Sequence, residues 1–253
     1  MKNHDFDRGI LDRVDHRPWP MPAAPWLMRQ TWHDLLFAHW PVDKAALAAK
    51  LPSSLTLDLY DGEAWLAVVP FHMTNVAPHG VPSLPGMSAF PELNVRTYVR
   101  VGDQPGVYFF SLDAANALAV VTARTMFHLP YYQASIRVEA QDGGFRYRSR
   151  RSGLGSSAAL DVAYRPDGPV SHARAGTLEY FLTERYCLYT VGKGGHALRL
   201  EIHHPPWPLQ PAEASIQVNT MADAVGIRLP SRAPLLHFSR RLDVVAWPLA
   251  RVE

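Results

Sequence analysis

Short runs of alternating side chains, each closed by tight-turn residues, recur along this sequence. Leu55, Leu57 and Leu59 alternate with Thr56, Asp58 and Tyr60 up to an Asp61-Gly62 turn, and Glu63 to Met73 reads as the returning strand. Glu92 to Val101 pairs through a Gly102 to Gly106 turn with Val107 to Leu112, and Tyr131 to Ala140 pairs with Phe145 to Arg151 across Asp142-Gly143-Gly144. Further strands are read at Thr31 to Trp40, Ala159 to Arg165, Tyr186 to Val191, His196 to His203 and Leu242 to Trp247. Three short helices interrupt them: one capped by Asp43 and running through Leu51, one from Ala114 to His128 that Pro130 ends, and one from Thr177 to Arg185. Strands that follow one another through tight turns, with no regular β-α-β alternation, call for a mainly β, α+β fold built as an antiparallel barrel, closed or nearly so.

Residues 1–25 carry Pro18, Pro20, Pro22 and Pro25, which disfavour helix and suit an extended arm laid over a core. Thr74 to Pro91 holds four prolines and two glycines without periodicity, a loop long enough to be functional or a lid. No linker composition divides the rest, so 1–253 is read as a single domain. The chain is 47% apolar, enough to bury a core and to exclude a disordered or fibrous protein. A formal charge of +2 gives no support for nucleic acid or an anionic membrane as partner. The single Cys187 excludes an internal disulfide. No apolar run reaches a membrane span and residues 1–20 lack the apolar core of a secretory signal, so the expected location is the cytoplasm.

In Glu92-Leu93-Asn94-Val95-Arg96-Thr97-Tyr98-Val99-Arg100, period-two geometry puts Glu92, Asn94, Arg96, Tyr98 and Arg100 on one face. Such a face is either the solvated outside of a sheet or a polar barrel interior. In the second case Arg96 suits a carboxylate or phosphate, and Glu92 suits acid or base chemistry. His33 and His39 share a strand face but lie about 20 Å apart, at about 3.3 Å per residue, too far to hold one metal. No metal-ligand spacing, nucleophile elbow or phosphate-binding loop is present, and no cofactor or metal is expected. Arg146, Arg148 and Arg150 line one strand face and read as charge protecting a sheet edge.

Five segments together, TWHDLLFAHWPVD at Thr31 to Asp43, AFPELNVRTYV at Ala89 to Val99, VYFFSLDA at Val107 to Ala114, ARTMFHLPYYQA at Ala123 to Ala134 and EIHHPPWPLQPAEA at Glu201 to Ala214, resemble the YqjF-like family of uncharacterised bacterial proteins. That family is remotely similar to acetoacetate decarboxylase, whose β-barrel-like cone encloses a small active-site cavity. The resemblance implies that Tyr131 and Tyr132 stand where the decarboxylases place two lysines, one of which forms a Schiff base. It also implies that Glu92 matches a cavity glutamate. The chain has 21 arginines and only four lysines, Lys2, Lys44, Lys50 and Lys193, and each of these lies in an arm, a short amphipathic helix or a Gly-rich turn. Imine chemistry is therefore not expected.

The leading expectation is a protein that binds a small organic acid in a decarboxylase-like cavity. Glu92 and Tyr131 are the candidate catalytic pair, and Asn94, Arg96, Tyr132, Phe109 and Arg185 are candidate ligand contacts. The alternatives are a Glu/Tyr lyase, isomerase or hydrolase acting on a related acid, and a structural or interaction protein that uses the arm and the Thr74 to Pro91 loop as a surface for a partner or for self-association into a homo-oligomer.

Overall fold

The computed structural model describes residues 6–84, 88–116, 127–152 and 157–252 and contains the hairpins expected across Gly102 to Gly106 and across Asp142 to Gly144. The one expected across Asp61-Gly62 is reduced to a single Tyr60–Glu63 bridge, because Thr56 and Leu57 pair with Arg100 and Val99 instead. In chain order the elements are β1 (Met28–Val42), α1 (Lys44–Ala48), β2 (Thr56–Leu57), β3 (Ala64–Pro78), β4 (Phe90–Val101), β5 (Gln104–Ala114), β6 (Tyr131–Gln141), β7 (Gly144–Arg151), β8 (Ala159–Pro166), α2 (Leu178–Thr183), β9 (Cys187–Val191), β10 (Ala197–His203), β11 (Leu209–Asn219), β12 (Leu235–Ala246) and β13 (Ala250–Arg251). Both helices start where a side chain caps them: Asp43 accepts from Ala46 N–H and Thr177 from Tyr180 N–H. The expected helix from Ala114 to His128 lies almost wholly outside the described residues, and Ala114 itself ends β5. Among the described residues no helix is long and apolar enough to cross a membrane.

All strands join one sheet that closes twice. One ring runs β1-β3-β4-β5-β6-β7-β8-β11-β12 and returns to β1, a barrel of nine strands. A second ring leaves β5 through β9 and β10 and rejoins at β12. The rings share the wall β12-β1-β3-β4-β5, and the change of partner takes place along β5 and β12. Val107 and Tyr108 pair with β9, whereas Leu112 to Ala114 pair with β6. Most pairings are antiparallel; β5–β6 and β5–β9 are parallel.

Because the wall has a core on each side, both faces of its strands are buried. Leu36, Leu66, Val68, Leu93 and Val95 pack with Tyr147, Leu160 and Val162 inside the nine-stranded ring. Leu35, Phe37, Ala67 and Val69 pack on the other side with Trp207, Leu242 and Val244. Glu92, Asn94, Arg96 and Tyr98 of β4 therefore face a protein interior, whereas Arg100 at the end of the strand reaches water.

Several sequence expectations are corrected. The loop read from Thr74 to Pro91 is shorter, since β3 runs on to Pro78 and β4 begins at Phe90. β7 is paired on both sides, by β6 and β8, so its arginines protect no edge; Arg146 instead pairs with Asp161 and Arg148 with Glu139. The arm is not wholly extended, because Arg8–Asp12 forms a 3-10 turn capped by Asp7. His33 and His39 do not share a face. Asp34 has φ +50 and is the extra residue of a bulge between His33 and Ala38. This shift places Trp32 beside Leu35 on one side and turns His33 away to Thr74.

Candidate functional site

A cavity of about 380 Å3 lies on the β4 polar side of the shared wall. β4 contributes Glu92, Asn94 and Arg96 at alternating positions, as period-two geometry requires. β5 contributes both Phe109 and Leu112, whose spacing breaks alternation. The register changes from Val95↔Ser111 to Arg96↔Phe109, leaving Phe110 unpaired, and that bulge restores the apolar face to the cavity. Leu188, Leu200, Val244 and Ala246 form the opposite wall, and Val81, Pro82 and Leu84 lie at the rim.

Glu92 is 3% exposed. Tyr131 Oη donates to Glu92 Oε2 at 2.7 Å. Burial raises the Glu92 carboxyl to about 7, against the opposing pull of hydrogen bonds from Tyr131 and Asn94; nearby Asp113 pushes in the same direction as burial. Burial and the adjacent Glu92 hold the Tyr131 phenol well above its usual range, so it stays a donor.

Asn94 uses its amide to bond Glu92, and its Oδ1 is buried with no hydrogen-bond partner. Arg96 is 8% exposed; its Nη2 donates to Leu182 O at 3.3 Å and its Nε has no partner. Among the described residues Arg96 makes no ion pair. Its guanidinium lies 5.1 Å from the Phe37 ring centre and 5.9 Å from that of Tyr98. Below it, Tyr98 Oη donates to Leu182 O and meets His39 Nε2 at 2.7 Å. Burial, then Arg96 and His237, hold His39 well below its usual range and thus neutral. The cavity thus holds a buried cation without a counter-ion among the described residues, an arrangement whose desolvation cost an anionic ligand would offset.

Glu92, Asn94, Arg96, Phe109 and Tyr131 therefore come together around the cavity. Tyr132 and Arg185 do not. Tyr132 follows Tyr131 on a strand and so points the other way, where the Arg151 guanidinium sits 3.9 Å from its ring centre. Arg185 is bound to Asp58 at 2.7 Å and to Phe181 O at 2.6 Å, behind the Tyr98 ring. Sequence reasoning missed Trp32 and Gln30, which bond each other and line the cavity from β1, and the rim valines and prolines. The proline-rich composition of residues 74–91 was the available signal for the rim. Lys44, Lys50 and Lys193 are exposed and away from the cavity, while Lys2 lies outside the described residues. Among the described residues no group of three or more His, Cys, Asp or Glu could hold a metal ion.

The solved structures similar in fold include the enduracididine biosynthesis enzyme MppR with HEPES bound, at TM-score 0.63 and 13% identity, covering 91% of this chain and 89% of that one. The same enzyme complexed with pyruvate matches at TM-score 0.60 and 12% identity over 93% of each chain. Acetoacetate decarboxylase from Legionella pneumophila matches at TM-score 0.59 and 12% identity, over 99% of this chain and 98% of the other. These TM-scores, over about nine-tenths or more of each chain, establish a shared acetoacetate decarboxylase-like fold. At the sequence level the chain is 48% identical over 242 residues to the uncharacterized protein YqjF of Bacillus subtilis (strain 168), covering 96% of this chain and 99% of that protein. The model of the DUF2071 family matches residues 29–243, which include Glu92, Asn94, Arg96, Phe109 and Tyr131 of the cavity. The chain belongs to the DUF2071 family of uncharacterized conserved proteins.

Proposed function

We propose that the cavity binds a small organic acid, with the ligand carboxylate on Arg96 and a neutral Glu92 beside it. The observation that carries this reading is Arg96: a buried guanidinium that faces a cavity, keeps Nε unpartnered and has no carboxylate among the described residues. Guanidinium and carboxylate fit as a paired fork, and burial strengthens the bond. The fold neighbour whose structure holds pyruvate supports the reading by analogy of fold alone. Tyr131 and Tyr132, at the two positions the family resemblance gives to the decarboxylase lysines, cannot form an imine, so decarboxylation by that route is not part of the proposal.

Glu92 sets the pH response. An anion on Arg96 disfavours a second anion nearby, so binding favours protonated Glu92 and weakens as pH rises through about 7. A thermal-shift series with small carboxylates at pH 6 and pH 8, on the wild type and Arg96→Gln, tests this. Stabilisation that is larger at pH 6 and at least tenfold weaker in affinity for Arg96→Gln is expected. No response to any acid, or an unchanged response in the variant, refutes the reading.

The Glu92–Tyr131 bond favours a second reading, acid–base catalysis on the bound acid. A carboxyl at about 7 both gives and takes a proton at neutral pH. Any turnover found should then depend on a single group near 7 and fall at least a hundredfold in Glu92→Gln, with binding retained. Turnover that survives this substitution eliminates Glu92 as the acid or base.

A further inference from the structure

The size and chemistry of the cavity go beyond a three- or four-carbon acid. At about 30 Å3 per non-hydrogen group, the share of a water in the liquid, 380 Å3 seats about a dozen such groups. A three-carbon keto acid has half that number and would leave a void against apolar walls, forfeiting their contacts. The walls are also mainly apolar, the polar lining outside β4 being Gln30, which bonds Trp32, together with Ser88, Asn116 and Tyr131. Met28, Leu35, Val69, Phe71, Leu200 and Val244 come from four different strands, whereas Glu92, Asn94 and Arg96 all come from β4. A polyhydroxylated or zwitterionic body of this size would lose its hydration without gaining partners along those walls.

The rim carries a second, independent observation. Val81 is 41% exposed and Leu84 49% exposed, two of the five large apolar side chains that face water among the described residues. Both border the cavity. Apolar residues exposed at the mouth of an apolar cavity suit a ligand whose apolar end reaches the opening.

We propose that the ligand is a monocarboxylic acid with an apolar body of about eight to twelve carbon atoms, its carboxylate on Arg96 and its body extending along the apolar walls toward Val81 and Leu84. The proposal rests on the preceding reading that Arg96 takes a carboxylate, and adds the class of acid.

Titration calorimetry on the full chain at pH 6.5, with straight-chain acids from acetate to tetradecanoate kept below their micelle concentrations, tests chain length. Decanol tests the head group. Burying one methylene is worth about a three- to fourfold change in affinity, so Kd is expected to fall by that factor per carbon up to about ten to twelve carbons and then level, at one ligand per chain. Decanol should bind at least tenfold more weakly than decanoate, and Arg96→Gln should reduce decanoate to the decanol level. Filling the cavity by Val244→Phe, or by the milder Ala246→Leu if the first variant fails to fold, should weaken decanoate more than acetate.

Acetate and propanoate binding as tightly as decanoate would overturn the larger acid and leave the small-acid reading standing. A chain-length dependence with decanol equal to decanoate would overturn the carboxylate contact, and with it both readings. Decanoate binding unaffected by a folded cavity-filling variant would place the ligand elsewhere and overturn the proposal. No binding by any acid to folded protein would overturn both.

Discussion

Glu92 concentrates the chemistry of this protein in one side chain, because its carboxyl is buried, bonded by Tyr131 and free of any cation among the described residues. A carboxyl raised from 4.5 to about 7 on folding contributes stability that is fully present below 4.5 and lost as pH rises through about 7. At about 1.4 kcal/mol per pH unit the loss is on the order of 3 kcal/mol. Glu92→Gln keeps an acceptor for Tyr131 and a neutral charge. It should therefore be near the wild type in stability at pH 4 and more stable by about 2–3 kcal/mol at pH 8. Denaturant melts of both proteins across that range check it, and a gain that does not grow with pH would show that Glu92 is not the buried acid described. Of the candidate site, this residue and its strand neighbours were legible because β4 alternates strictly. Tyr132 was misplaced although parity with Tyr131 carried the information, and Arg185 because its partner Asp58 lies 127 residues away.

The branch at β5 is the element on which the two rings depend. Its last residues turn from β9 to β6, and there Asp113 is held by Arg151 of β7 in a bidentate pair with side chains 0% and 5% exposed. The same guanidinium stacks on Tyr132 of β6, so one arginine ties three strands together at the point of divergence. Removing it leaves a buried carboxylate without its counter-ion. Arg151→Met is expected to lose about 3–5 kcal/mol at neutral pH. The loss should shrink in acid, where Asp113, already shifted upward by burial, takes up a proton. Equilibrium unfolding at pH 4.5 and pH 8 measures both. The bulges at Asp34 and Phe110 were not legible. Each is a one-residue insertion relative to the partner strand, and a single sequence shows no partner.

Across the whole molecule, the N-terminal arm is part of the core and not an appendage. Ile10 is 1% exposed against Val245 and Trp247, and its carbonyl accepts from His203 Nε2. Arg17 pairs with Glu201 and bonds Ile202 O, and Trp247 donates to Ala24 O, so the arm covers the β10–β12 junction that closes the second ring. Ile10→Ala should cost about 2–5 kcal/mol, as a core position does, whereas a loosely draped arm would give a change too small to resolve in a denaturant melt. The hairpins across Gly102 to Gly106 and Asp142 to Gly144, the helix cap at Asp43 and the alternation of β4 follow from local rules of turn chemistry and period-two geometry, and the sequence alone sufficed for them. Those rules stop at the edge of each hairpin. Whether the Glu92 face meets water or an interior depended on a second ring closing over the same wall through β9 and β10. That closure depends on contacts between residues far apart in the chain, such as Val107 with Leu188 and Ile202 with Ala246, which no local pattern encodes.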